Sequence, residues 1–253
     1  MEKPPQIKIG EFTVALLSDG IWRNDGGCML GVVPRELWQR EHPPDDKNRI
    51  RLNLTCPLII KGNQAILVDT GIGNRLSAVE RKIFDHQEGW LPEGLAALGM
   101  EPGDVTHVLL SHLHFDHCGQ NAVFRHAPHF VQGTELSRAQ RESPELYDWF
   151  DFMNARFELL DGDTELLPGL SVITTPGHTS GHQSVVVTAS DGSSDVLIGD
   201  AAYTPRVYQE LPAELPDGQA ADRGSWEQSL TRIKSTGSGG RVHFCHHTDV
   251  VHG

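Results

Sequence analysis

Six consecutive residues in the middle of the chain, His112-Leu113-His114-Phe115-Asp116-His117, gather three imidazoles and a carboxylate in one short segment. With this chain's own His and Asp frequencies, chance would supply only about 0.003 matches to the spacing HxHxDH. In an extended or turning segment His112 and His114 project to one side, and Asp116 and His117 follow in a turn that reaches an adjacent point. One loop then offers donors to two cations lying close together. Imidazole nitrogens and carboxylate oxygens suit zinc, and also iron, manganese or cobalt.

Three further segments carry donors of the same kind. Thr175-Pro176-Gly177-His178 puts a histidine in a tight turn, Leu197-Ile198-Gly199-Asp200 puts a carboxylate after an apolar run, and Phe244-Cys245-His246-His247 ends in two histidines. A carboxylate such as Asp200 can bridge two cations and cancel charge that would otherwise drive them apart. Of the final pair, His246 is preferred because it directly follows the apolar run, with His247 as the alternative. Taken singly, the histidine-rich loop reads as a solvated turn and Asp200 as a strand cap. Together and in order they read as a two-cation centre.

Each donor segment follows a run of β-type residues: Thr106–Leu110, Leu170–Thr174, Val196–Ile198 and Val242–Cys245, the last expected to be the final strand. Upstream, Ile7–Leu17 reads as one or two strands, and Leu54–Ile60 with Ala65–Asp69 as a hairpin. Ser184–Thr188 is a further strand. Helical patterns cover Pro92–Leu98 with a stop at Gly99, Thr134–Arg156 with a break near Pro144, and Trp226–Lys234. A glycine- and serine-rich link, Ser235–Gly240, precedes the final strand. Alternating strands and helices give an α/β class, with the chemistry at strand ends where such folds place it. Asn24–Gly31 reads either as a plain glycine-containing connection or as a flap carrying Met29 and Leu30 over a pocket, and Glu41–Asn48 as exposed.

The 253 residues are read as one domain, 1–253, with 38% hydrophobic and 22% charged residues, ordinary for a soluble globular chain. Acidic residues outnumber basic ones 34 to 21, a net charge of −13 that disfavours nucleic acid and anionic membrane partners. No apolar run reaches the length of a membrane span. Met1–Gly10 holds prolines and charges where a signal peptide needs an apolar core, so a cytoplasmic location is expected. Cys28, Cys56, Cys118 and Cys245 form no CxxC pair, and Cys118 and Cys245 are read as packing residues.

These motifs resemble the metallo-β-lactamase superfamily. The likeness runs from Leu67-Val68-Asp69-Thr70-Gly71 through HLHFDH, TPGHTSGH and Gly199-Asp200 to the last histidine. It implies a four-layer αβ/βα sandwich. It also implies that His112, His114 and His178 bind one cation, that Asp116, His117 and His246 bind a second, and that Asp200 bridges them. Relatives carry a His-Asp pair at the end, whereas this chain has His246-His247 and places Asp249 further on. Asp69 is expected to anchor the metal loops by hydrogen bonds, and His182 to orient the turn of His178. His107, His126, His129 and His243 are read as structural or surface residues.

The expected chemistry is hydrolysis by a hydroxide held between two divalent ions, most simply zinc, with Asp116 orienting it. Asp200-Ala201-Ala202-Tyr203 is similar to N-acyl homoserine lactonases, which implies that Tyr203 hydrogen-bonds the ester carbonyl or helps protonate the leaving alkoxide. Asp25-Gly26-Gly27 through Gly31-Val32-Val33-Pro34 and Leu37-Trp38 likewise resembles quorum-quenching lactonases. The substrate expected is therefore a small lactone or ester. An aryl esterase, phosphotriesterase or thioesterase would use the same centre. A mono-iron persulfide dioxygenase and a non-catalytic metal-binding module are the more distant readings. Glu135–Arg156 is the expected surface for a homodimer.

Overall fold

The computed structural model describes residues 3–31, 33–87, 90–152, 155–209, 221–237, 239–247 and 250–252. Seven strands form a first sheet in chain order: β1 (Gln6–Ile9), β2 (Phe12–Asp25), β3 (Arg49–Lys61), β4 (Gln64–Val68), β5 (His107–Leu109), β6 (His129–Gln132) and β7 (Phe157–Leu160). Pairing is antiparallel from β1 to β4 and parallel from β4 to β7. A second sheet holds β8 (Thr164–Leu167), β9 (Leu170–Thr174), β10 (Gln183–Thr188), β11 (Ser194–Leu197), β12 (Arg241–His243) and β13 (Val250–His252), again in sequence order. The α-helices are α1 (Gly26–Leu30), α2 (Arg35–Trp38), α3 (Ala78–Phe84), α4 (Trp90–Ala97), α5 (Phe115–Cys118), α6 (Gly133–Glu142), α7 (Tyr147–Phe150), α8 (Pro205–Gln209) and α9 (Arg223–Thr236). None is long and apolar enough to cross a membrane.

Strands expose alternate residues to opposite faces, and here both faces are apolar. Val14, Ile66 and Val68 of the first sheet meet Val172, Val185 and Val187 of the second. The intervening Ala15, Ala65 and Leu67 face outward and pack with Leu91 and Leu95 of α4 and Ala139 of α6. On the far side Val186 and Val196 face Trp226, Leu230 and Ile233, spaced along one side of α9. The result is helix, sheet, sheet, helix: the αβ/βα sandwich implied by the sequence. Each fully buried Val, Leu or Ile contributes about 1.5–3 kcal/mol, so a one-residue slip of any central strand would invert two apolar faces at once.

Most expected elements are present, with four differences. The helical pattern read over Thr134–Arg156 ends at Phe150. Asn24–Gly31 is not a plain connection: β2 continues to Asp25, and Gly26–Leu30 is helical, with Asp25 Oδ1 accepting from Cys28 N at 3.0 Å. Met29 and Leu30 are buried against Trp22, Trp38 and Tyr203. The run Val242–Cys245 leaves the sheet after His243, and it is not the final strand, because β13 pairs antiparallel with β12. Its backbone instead crosses to the first sheet, where Thr55 N donates to Cys245 O at 3.0 Å and Asn53 N to His246 O at 3.2 Å. Helix α9 runs on to Thr236, into the segment read as a link. Val32 and Asp249 lie outside the described residues.

The turn after β4 shows how the first sheet supports its loops. Asp69 and Gly71 both have positive φ, 58° and 66°, and a Cβ on Gly71 would sit 2.4 Å from the Asp19 side chain. Asp19, fully buried on β2, accepts from Ile72 N at 2.9 Å, Gly73 N at 2.7 Å and Gln120 Nε2 at 2.7 Å. Burial outweighs these bonds and pushes its pKa up to about 6. A carboxyl raised on folding contributes stability that is full below its unfolded pKa and is lost as pH rises through about 6. Asp19→Asn removes this titration. The stability difference between mutant and wild type should therefore shift in the mutant's favour by about 3 kcal/mol between pH 4 and pH 7. Denaturant unfolding across that range checks it, and a pH-independent difference refutes it.

Candidate metal centre

Four strand ends deliver the candidate donors to one place. After β5 the chain passes Ser111, whose N and Oγ donate to the two oxygens of Asp69, each at 2.7 Å. The Ser111 hydroxyl being spent on Asp69, His112 Nδ1 is left to donate to Ser111 Oγ at 3.0 Å, which frees His112 Nε2. His114 is the N-cap of α5, and this single turn folds Asp116 and His117 back toward the same point. His117 Nδ1 meets Asp69 Oδ2 at 2.8 Å, so its Nε2 also faces inward. Asp69 thus anchors the loop without itself joining the cluster.

His178 follows β9 in a turn that needs Gly177, which has φ 137° and no space for a Cβ, since Trp226 lies 2.4 Å from where one would be. Asp200 follows β11 in a 3₁₀ turn, Gly199–Ala201. Its backbone N donates to His182 Nε2 at 3.0 Å, while His182 Nδ1 faces Thr175 Oγ1 at 2.8 Å. His182 therefore ties the Asp200 turn to the end of β9, a wider role than orienting His178. His246 Nδ1 donates to Asn53 O at 2.8 Å, which again leaves Nε2 inward.

Two donor groups result. In the first, His114 Nδ1 lies 3.0 Å from His112 Nε2 and 2.9 Å from His178 Nε2. Asp200 Oδ2 is 3.3 Å from His178 Nε2 and 3.7 Å from His112 Nε2. In the second, Asp200 Oδ1 is 3.2 Å from His117 Nε2 and 3.3 Å from His246 Nε2. Asp116 Oδ2 is 3.6 and 3.5 Å from the same two nitrogens. Donors about 2.1 Å from a tetrahedral ion sit roughly 3.4 Å apart, so both groups have the spacing of a cation's ligands. Hydrogen bonds alone do not explain them: one ring N–H serves one neighbour, and His117 Nε2 is buried without a hydrogen-bond partner. The two oxygens of Asp200 face one group each, as a bridge requires.

The electrostatics differ between the groups. Burial drives the His112 pKa well below its ordinary value and that of His114 to about 4, so these rings stay neutral and keep their lone pairs. Burial also opposes charge on His117 and His246, but the carboxylates of Asp200 and Asp116 outweigh it and raise both. Asp200 is held far below the usual carboxylate range: burial alone would raise it, and His117 and His246 overcome that. The carboxylates of Asp200 and Asp116 thus favour positive charge at the second group, whether a proton's or a metal ion's. Tyr203 sits beside both groups, its ring centroid 5.8 Å from that of His178 and 5.3 Å from that of His246. Burial, reinforced by Asp200, pushes its phenol well above the ordinary value and keeps it protonated.

All seven expected donors and Tyr203 therefore meet. His247 does not join them; its ring lies against His42, with centroids 5.7 Å apart. Cys245, read as a packing residue, is closer than that: its Sγ contacts Asp200 Oδ1 at 2.8 Å and belongs to the second donor group by position. Its place before His246 was the only signal available. Glu135, expected only as the start of a dimer surface, is instead fully buried and accepts from Leu113 N at 2.9 Å, between His112 and His114. Nothing in its local sequence marks it. Trp22, Phe84, Phe115 and Met29 form an apolar wall beside His246 and Tyr203.

An αβ/βα sandwich with this donor set at its strand ends defines a metal-dependent class of protein, and residues 52–238 match the model of the metallo-beta-lactamase superfamily. The chain belongs to that superfamily. An N-acyl homoserine lactonase of Bacillus cereus is 32% identical over 191 residues, 69% of this chain and 74% of that protein. A probable metal-dependent hydrolase from Staphylococcus aureus superposes with a TM-score of 0.84 at 25% identity, covering 95% of this chain and 91% of the other. AidC, a dizinc quorum-quenching lactonase solved with a product, shares the fold with a TM-score of 0.76 at 20% identity, over 96% and 90% of the two chains.

The two final histidines give a direct check on the geometry. His246→Ala should weaken one of two bound cations by about 100-fold, and His247→Ala should leave both within about twofold. Chelator competition on each variant measures this, and equal effects would refute the assignment.

Proposed function

We propose that this chain is a two-cation hydrolase, with zinc as the resident ion, that opens the ring of N-acyl homoserine lactones. The observation that carries the reading is Asp200, whose two oxygens each face a separate set of histidines with Asp116 and Tyr203 at the rim. In this reading His112, His114 and His178 hold the first ion, Asp116, His117 and His246 the second, and Asp200 both. Bound there, the ions supply Lewis acidity and hydroxide at neutral pH.

The chain's own residues do the rest. Asp116 orients the attacking water through its carboxylate and takes up its proton. Tyr203, protonated and buried, donates a hydrogen bond to the lactone's carbonyl oxygen, and the proton held by Asp116 passes to the ring oxygen as the C–O bond breaks. The apolar wall of Trp22, Phe115 and Met29 offers an aliphatic acyl chain a water-free surface. The 32% identity to a lactonase over most of both chains supports lactones over aryl esters, thioesters or phosphotriesters.

Turnover of a C6 acyl homoserine lactone, an aryl ester, a thioester and a phosphotriester should rank the lactone first in kcat/KM. An aryl ester or phosphotriester ahead by tenfold would reassign the substrate. Asp116→Asn should lower lactone kcat by about 100-fold or more, and Tyr203→Phe by about 10- to 100-fold with little change in KM. Unchanged turnover in both variants would remove the mechanism.

A further inference from the structure

We propose that Glu135, in the first turn of α6, is a positioning residue for the first cation: its carboxylate fixes the distance between the loop of His112 and His114 and the loop of His178. The inference rests on the two-cation reading above and not on its choice of substrate.

Both carboxylate oxygens are engaged, one with each loop. Oε1 accepts from Leu113 N at 2.9 Å, and Leu113 lies between two of the candidate ligands. Oε2 accepts from Thr179 Oγ1 at 2.7 Å, and Thr179 directly follows the third. All three residues are buried. The approach leaves no slack, because a Cβ on Gly181 would lie 2.2 Å from Glu135 N. Arg138 closes the unit from within the same helix, its Nη2 donating to Oε1 at 2.7 Å and its Nε reaching both oxygens at 3.2 Å.

Two features separate this from ordinary core packing. The opposite charges of Glu135 and Arg138 act against each other at His114, and the bonds to Leu113 and Thr179 are what set where the histidines stand. Its contacts are also selective. The loop positions it holds adjoin His112, His114 and His178, while His117 and His246 are held by Asp69 and the Asn53 carbonyl. Loosening Glu135 should therefore open one donor group and spare the other. A carboxylate that orients ligands from outside the coordination shell commonly changes metal affinity 10- to 100-fold when lost.

The test uses the metal-loaded full chain and the variants Glu135→Gln and Thr179→Val. The second removes one hydroxyl donor and leaves the buried ion pair intact. In chelator competition, Glu135→Gln should release one of its two zinc ions about 10- to 100-fold more readily than wild type, and Thr179→Val the same ion about 3- to 10-fold more readily. Anomalous diffraction from crystals at limiting zinc should show the loss at the His112, His114 and His178 group, with the His117 and His246 group still filled. Equal weakening of both ions together with a lower Tm would mean a general structural role and overturn the proposal. If Glu135→Gln fails to fold, unchanged release from Thr179→Val overturns it alone. A protein that shows the selective loss yet opens no lactone would sink the substrate assignment and leave the clamp standing.

Discussion

Lone pairs from five imidazoles and two carboxylates point into one small buried volume. Gathering such groups away from water is unfavourable by several kcal/mol unless positive charge sits among them. The rest of the site follows from that constraint. The rings of His112, His117 and His246 each spend the outer nitrogen on the protein, at Ser111, Asp69 and the Asn53 carbonyl, and turn the inner one to the cluster. The tautomers are thus fixed by neighbours that never enter the cluster, and Asp200 is held by its own backbone through His182. What would be a repulsive core in an empty protein becomes a preorganised receptor for cations.

The sandwich makes that arrangement affordable by dividing labour along each strand. Strand interiors are regular and apolar on both faces, and they provide the stability. Around the donors, irregular backbone falls where strands end: Asp69 at φ 58°, Gly177 at 137° and Gly199 at 56°. Two of these are glycines, which tolerate the conformation. The third, Asp69, is pinned by its bonds to Ser111 and His117. The chemistry is therefore carried by turns whose strain is absorbed by a rigid frame.

Much of this was legible in the sequence, for definable reasons. The donors are short-range patterns of rare residue types, so HLHFDH, TPGH and GD stand out, and each follows a β-type run that ends within one residue of the observed strand end. The layer order followed from family resemblance. What stayed hidden depends on contacts distant in sequence. Glu135 looks like any acidic residue at a helix start until Leu113 and Thr179 are seen beside it. Cys245 resembles a core cysteine because its meeting with Asp200 spans 45 positions. The four-residue strands β6, β7 and β8 escaped notice because they are too short to show a period, and β7 and β8 are half exposed. The run Val242–Cys245 misled because its residues suit a strand, while its last part bonds to the opposite sheet.

That crossing segment ties the order of synthesis to the order of loading. Candidate donors for the first ion are complete once residue 200 has been made, whereas the second lacks an imidazole until residue 246 emerges and docks on β3. A chain that stops short of residue 246 therefore offers the second donor group one imidazole fewer than the finished fold. The second donor group is thus complete only when the two sheets have closed on each other.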